Sequence, residues 1–356
     1  MTIFFYTLLF TMILNECNGA PNFISKLFRP KSTGDINTEN YDGDPIVISC
    51  FTERTQRELY QVEINGTWPV SLLQRLDNGN FLSLIFHGAA NEITKKAGLM
   101  FWFARDYFKA SGNNICIITY AYTTEPSVGC SKAVSNLNKM VTSKRLDYVA
   151  RLSADLIIGI QDICWNDEDG GRCLNIHEVD IIGFSFGAHV AGRTCEYISE
   201  KTKGEKVRLL LALDPSKTPL LMAKPKSTIK RGVAHLVQVI HTSIIGITQQ
   251  IGDIDIYVTK SKLGIAVSLE HGLDFFVFLA TATKKLYLLA EKNGNGTMIR
   301  QGEPFREPGP KECVVGVYSN PNPNQYGKMF EISLVNRTKT FKEALGMYYN
   351  EDIFFE

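Results

Sequence analysis

The pentapeptide Gly183-Phe184-Ser185-Phe186-Gly187 constrains this chain more than any other segment. It follows Val179-Asp180-Ile181-Ile182, a short apolar run, and precedes Ala188-His189-Val190-Ala191-Gly192-Arg193, which reads as a helix start. Strand, G-x-S-x-G, helix is the context of a nucleophile elbow, a sharp and strained turn that lifts a serine hydroxyl above a sheet. Glycine is needed at Gly183 and Gly187 because a side chain there would crowd the adjoining strand or helix. A serine hydroxyl is a poor nucleophile until a base takes its proton, so the motif predicts a histidine and an acid elsewhere.

The chain has six histidines, and elimination orders them. His189 lies four residues after Ser185 on the elbow helix and points back along it, toward packing. His177 precedes the elbow strand, at the wrong end. His87 closes a strand in a His-Gly turn and reads as structural, while His235 and His241 belong to the strand before a long loop. His271 follows that loop and opens a helix, the position of a late base. The acid is then expected at the end of an intervening strand. Asp214 ends Leu211-Ala212-Leu213, and Pro215 stops further extension. Asp253 and Asp255, in the loop, and Asp274, close to His271 in sequence, are weaker candidates. The oxyanion of an acyl-transfer reaction needs two N–H donors. Phe186 supplies one, and the loop His87-Gly88-Ala89 supplies the other through Ala89. This chemistry needs no metal and no cofactor.

The rest of the chain suits such a site. Strand-like runs at Ile46–Phe51, Phe81–Phe86, Asn114–Tyr120, Val207–Leu213 and His235–Ile240 alternate with helical spacing over about Lys95–Ala110, Leu146–Gln161, the elbow helix to about Glu200, and Gly272–Thr283. Two short strands are expected within Gly316–Val335. This alternation predicts an α/β fold, with a mainly parallel sheet covered by helices on both faces. A net charge of +1 gives no reason to expect nucleic acid.

The N-terminus carries an apolar run, Ile3–Leu14, followed by Cys17, Gly19 and Ala20. That pattern predicts a signal peptide over residues 1–20, a polar leader over 21–43 and one domain over 44–356. Eight cysteines fit an oxidising compartment. Cys164 and Cys173 are the first candidates for a bridge, and Cys116, inside a strand-like run, reads as a buried thiol. Sequons at Asn65, Asn295 and Asn336 agree with secretion.

Taken together, these segments resemble the pancreatic lipase family of secreted lipases and phospholipases, an α/β-hydrolase family. Gly183–Gly192 is similar to its G-H-S-L-G-A-H-x-x-G elbow, and Leu213-Asp214-Pro215-Ser216 with Pro219 is similar to its L-D-P-A-x-P loop. Val239-Ile240-His241-Thr242-Ser243 resembles V-I-H-T-s, and Gly252–Tyr257 resembles G-x-x-D-F-Y. Leu269-Glu270-His271-Gly272 falls where the family has C-S-H-x-R-A. An acid after the strand that follows the elbow is a habit of this family, so the resemblance supports Asp214 independently.

The chain departs from the family at Phe184 and Phe186, at Ala89 and at Thr119-Tyr120, and no cysteine lies between Asp214 and His271. The resemblance implies a lipid substrate at a membrane or micelle surface. Without the additional β-sandwich domain, no colipase is expected. Only 16 positions separate Asp255 from His271, and Val258–Leu269 is expected to form a short lid. In this family a short lid implies phospholipase A1 activity, with a triacylglycerol lipase or general esterase, or a catalytically weak lipid-binding or storage protein, as alternatives.

Overall fold

A computed structural model describes residues 46–53, 59–64, 67–76, 78–88, 99–120, 140, 145–165, 174–217, 229–259 and 267–346. The expected signal peptide, leader, Ala89, Cys173 and the Asn65 sequon lie outside the described residues, as do residues 260–266.

The strands are β1 (Ile46–Phe51), β2 (Tyr60–Ile64), β3 (Leu82–Phe86), β4 (Asn114–Thr119), β5 (Val179–Phe184), β6 (Leu209–Leu213), β7 (Leu236–His241), β8 (Ile254–Thr259), β9 (Leu286–Glu291), β10 (Thr297–Arg300), β11 (Glu312–Val314) and β12 (Lys328–Ser333). All twelve join one sheet in the order β10-β9-β12-β8-β7-β6-β5-β3-β4-β1-β2, with β11 paired to β9. The run from β4 to β12 is parallel throughout, and antiparallel pairs occur at the two ends. Central strands such as Leu209–Leu213 are buried at every position. They read as unbroken apolar runs because a parallel sheet is covered on both faces.

Helices α1 (Val70–Leu76), α3 (Arg145–Trp165) and α4 (Phe186–Lys201) contribute to one core, with Leu72, Leu156 and Val190 among its fully buried residues. Helices α2 (Leu99–Ser111), α5 (Val267–Ala282) and α6 (Thr338–Leu345) contribute to the other, with Phe103, Phe278 and Phe341. The result is the α/β-hydrolase arrangement: a mainly parallel sheet between two helical layers.

Several expectations need correction. Cys116 is not a thiol: it is bonded to Cys50, directly opposite it where β1 pairs antiparallel with β4. The two partners are 66 residues apart in sequence, so only the strand pairing brings them together. Cys195 and Cys313 are buried free thiols among the described residues. Asp255 lies in β8, not in a loop, and Asp253 directly precedes that strand. Of the stretch expected to be a lid, Val258 and Thr259 end β8 and Val267–Leu269 begin α5, while the seven positions between them lie outside the described residues. His271 therefore sits inside a helix rather than opening one. Within Gly316–Val335 only β12 is a strand, and β11 precedes that interval.

Candidate active site

The site is built at the carboxyl ends of β5 and β6, which are hydrogen-bonded neighbours with Phe184 opposite Leu213. Such edges are where open α/β sheets hold their ligands. Ser185 separates β5 from α4 and adopts φ 55° and ψ −117°, a conformation rare outside glycine. Strain of this kind costs roughly 1–3 kcal/mol and persists only when its surroundings enforce it. Here the Ser185 N–H donates to Leu213 O at 2.8 Å, and Ser185 O accepts from Ala188 N at 3.2 Å and Ser216 N at 3.3 Å. The flanking glycines allow the close passage. A Cβ at Gly183 would lie 2.3 Å from Gly187 O, and one at Gly187 would lie 2.3 Å from His87 O.

His271 comes from α5, 86 residues further along the chain, and its Nε2 accepts from Ser185 Oγ at 2.7 Å. Its Nδ1 donates to Asp214 Oδ2 at 2.6 Å. All three side chains are buried, Ser185 at 7% exposure, His271 at 3% and Asp214 at 0%. One proton on Nδ1 and an open lone pair on Nε2 form the neutral tautomer that can take a proton from a hydroxyl. Asp214 has φ 36°, and its N–H donates to Ile240 O at 2.8 Å. The three residues singled out from the sequence thus form one hydrogen-bonded chain.

Asp214 is held by the loop after β7. Thr242 N and Ser243 N donate to Oδ1 at 3.1 and 3.3 Å, and the Ser243 hydroxyl donates to Oδ2. Ser243 Oγ also lies 3.3 Å from His271 Nδ1. Gly246 passes so close that a Cβ there would fall 2.3 Å from Asp214 Oδ1. Sequence reasoning gave neither Ser243 nor Gly246 a role. The sequence signal at this position is the resemblance of Val239–Ser243 to V-I-H-T-s, which marks Ser243 but not its partner.

The remaining assignments divide. Phe186 opens α4, where the first N–H groups of a helix have no intrahelical acceptor and stay available to an anion. Its side chain is fully buried in the core against Tyr120, with ring centroids 6.5 Å apart. Phe184 instead faces the site, 5.1 Å from the His271 ring. The two phenylalanines of the elbow therefore do different things. Gly88 lies against the elbow, since a Cβ there would meet Phe184 at 3.2 Å and Ser185 Cβ at 3.4 Å. Asn295 and Asn336 are exposed.

Two other buried histidines, His87 and His189, are held in packing networks away from the serine hydroxyl. His87 Nδ1 donates to Gly88 O at 2.5 Å, its Nε2 accepts from Tyr120 N at 3.2 Å, and its ring stacks on Tyr120 at 4.4 Å. Burial lowers its pKa to about 4, which agrees with a neutral ring in that network. His189 bonds Ser216 O at 2.7 Å and is likewise lowered by burial to about 4. Asp274 lies three residues after His271 in α5, fully buried, and its Oδ2 has no hydrogen-bond partner among the described residues. Burial, and then the charge of Asp214, push its carboxyl well above the usual range. A cleft of about 540 Å³ at the opposite edge of the strands is lined by Asp180, Arg208, His235 and Tyr318 among others. Arg208 there is tied to Asp180 at 2.7 and 2.5 Å and to Val317 O at 2.8 Å.

Residues 174–262, which include Ser185, Asp214, His241 and Asp255 but not His271, match the family model Lipase. A phospholipase A1 of Vespula squamosa is 34% identical over 90 residues, which is 25% of this chain and 30% of that protein. The chain thus matches less than a third of that relative's length. Among solved structures, an esterase of Pyrobaculum calidifontis overlaps 75% of this chain and 78% of its own at 11% identity, with a TM-score of 0.28. The α/β hydrolase MGS-M1, from a Medee basin deep-sea metagenome library, overlaps 70% and 76% at 12% identity, with a TM-score of 0.26. With the elbow after β5, an aspartate ending the next strand and the match to the Lipase family model across both, this part of the chain is similar to the lipase family, on an α/β-hydrolase fold.

Proposed function

We propose that the protein hydrolyses carboxylic esters of lipids, with Ser185 as nucleophile, His271 as base and Asp214 as the acid that orients it. The observation that carries this reading is the continuous chain Ser185 Oγ–His271 Nε2 at 2.7 Å and His271 Nδ1–Asp214 Oδ2 at 2.6 Å. Ser185 Oγ attacks the ester carbonyl while His271 takes its proton. The new oxyanion is held by the Phe186 N–H and by the Ala89 N–H expected from sequence. His271 then protonates the leaving alcohol, a water molecule attacks the acyl-enzyme, and the cycle returns to free serine. Asp214 stays ionised and stabilises the imidazolium that forms in each half-reaction.

The substrate class we infer is a phospholipid cleaved at the sn-1 ester. Two observations support it: the partial match to a phospholipase A1, and the seven positions, 260–266, between β8 and α5, which leave room only for a short covering segment. A secreted location is supported by the Cys50–Cys116 bridge, since disulfides persist in oxidising compartments. The test is release of fatty acid from phosphatidylcholine carrying distinguishable sn-1 and sn-2 chains, run beside triolein. The phospholipase reading expects sn-1 release well above triolein turnover. Equal or greater triolein turnover makes the protein a neutral lipase, and no fluorophosphonate labelling of Ser185 ends the enzymatic reading.

A further inference from the structure

Behind the catalytic chain lies a second buried histidine–aspartate pair. His241 ends β7 and is 4% exposed, and Asp255 in β8 is 0% exposed. His241 Nε2 and Asp255 Oδ1 are 2.8 Å apart, and His241 Nδ1 lies 2.7 Å from Ile247 O. The ring faces the Asp255 carboxylate, the Ile247 carbonyl and Tyr257, which is stacked on it at 4.5 Å with its own hydroxyl donating to Thr248 O. Asp255 also accepts from Ile251 N at 3.1 Å and Gly252 N at 3.1 Å.

A carbonyl oxygen can only accept a hydrogen bond, and so can a carboxylate that two backbone N–H groups already approach. Both His241 nitrogens must therefore donate, and the ring carries two protons where His271 carries one. The pair grips one loop at three points: its middle at Ile247 and its far end at Ile251 and Gly252. The near end of that loop supplies Thr242 N, Ser243 N and the Ser243 hydroxyl to Asp214, and its backbone at Gly246 closes over the same carboxylate. We propose that His241 and Asp255 are positioning residues, a doubly donating imidazole and its acceptor that fix the loop holding Asp214 in register with His271. This rests on the reading of Ser185, His271 and Asp214 as the catalytic chain.

The experiment has two parts. Nitrogen-15 NMR of the imidazole rings in the intact protein at pH 7 reads protonation directly, with the His241 signals identified by their loss in His241→Gln. The expected result is two protonated nitrogens on His241, and a single protonated nitrogen overturns the proposal. In the second part, hydrolysis of a soluble p-nitrophenyl ester is measured for wild type, His241→Gln, which keeps a donor toward Asp255, and His241→Asn, which keeps one toward Ile247. Both variants should lose roughly 10–100-fold in kcat with KM within about twofold, as small displacements of catalytic groups do. Unchanged kcat in folded variants, or a loss that falls on KM, overturns the proposal. If wild type itself neither hydrolyses the ester nor labels with fluorophosphonate, the catalytic reading fails first, and the NMR result still decides the protonation of His241.

Discussion

The two buried histidine–aspartate pairs of this protein are nearly alike at the carboxylate and opposite at the other ring nitrogen. His271 meets Asp214 at 2.6 Å and His241 meets Asp255 at 2.8 Å, both out of solvent. The far nitrogen of His271 accepts from the Ser185 hydroxyl, whereas that of His241 donates to the Ile247 carbonyl. A hydroxyl has a proton to give and a carbonyl does not. The first ring can therefore cycle a proton, while the second is bound on both sides and can only hold a loop in place. The partner of the second nitrogen, more than the presence of a carboxylate, separates a base from a tie.

The sharpest way to break this comparison is to remove the acid of each pair. Asp214→Asn should lower kcat by about 10⁴, because an amide no longer enforces the tautomer that leaves Nε2 free. Asp255→Asn should lower kcat by only about 10–100-fold, since it disturbs position and not proton transfer. Steady-state rates on a soluble ester check both, and equal losses would erase the distinction. Next in size is Gly246→Ala, whose Cβ would sit 2.3 Å from Asp214 Oδ1. The loop must retreat, so kcat should fall by about 100-fold, and overpacking should cost roughly 1–3 kcal/mol of stability in denaturant unfolding. Ser243→Ala removes one of the loop's three donors to Asp214, leaving those two and His271, and should lower kcat about tenfold with little change in KM.

The smallest effects concern stability and the buried groups that neither pair uses. Asp274 has its carboxyl raised well above its unfolded value, first by burial and then by Asp214. Its neutral form is the one that fits, so its ionisation opposes folding as pH rises. Asp274→Asn should therefore raise the melting temperature, and the gain should be larger at pH 8 than at pH 5. His87 and His189 run the other way. Burial lowers both to about 4, from an unfolded value near 6.5. Their contribution to stability is present above that value and is lost as pH falls from about 6.5 toward 4. Melting temperatures measured across that window should decline, and a flat curve would mean that these two rings are not buried as neutral groups.

How much of this was legible depends on how local each feature is. The elbow could be read because strand, turn and helix are contiguous, and both glycines face contacts within a few residues or with the neighbouring strand. Asp214 could be read because Asp-Pro ends an apolar run directly after the elbow helix. His271 followed from chain order, although its place inside α5 did not, because the helix begins four residues earlier at Val267, among residues with no clear start signal. Ser243, Gly246 and the Cys50–Cys116 bridge could not be read. Each depends on a partner from 29 to 66 residues away, and a side-chain pattern with period two or 3.6 carries no information about which strand lies beside which. No local pattern separates the side chains of the two elbow phenylalanines, for the same reason. Only the packing sends Phe186 into the core and leaves Phe184 beside His271.

The sequence by itself determined that this chain makes a parallel α/β sheet with a strained serine turn, and it named the serine, the aspartate and the histidine. These are matters of local pattern and order along the chain. Tertiary structure decided which of two histidine–aspartate pairs faces the serine, because that choice depends on whether a hydroxyl or a carbonyl stands opposite one ring nitrogen. Strand order, loop closure and burial fix that geometry together, and no single segment encodes it.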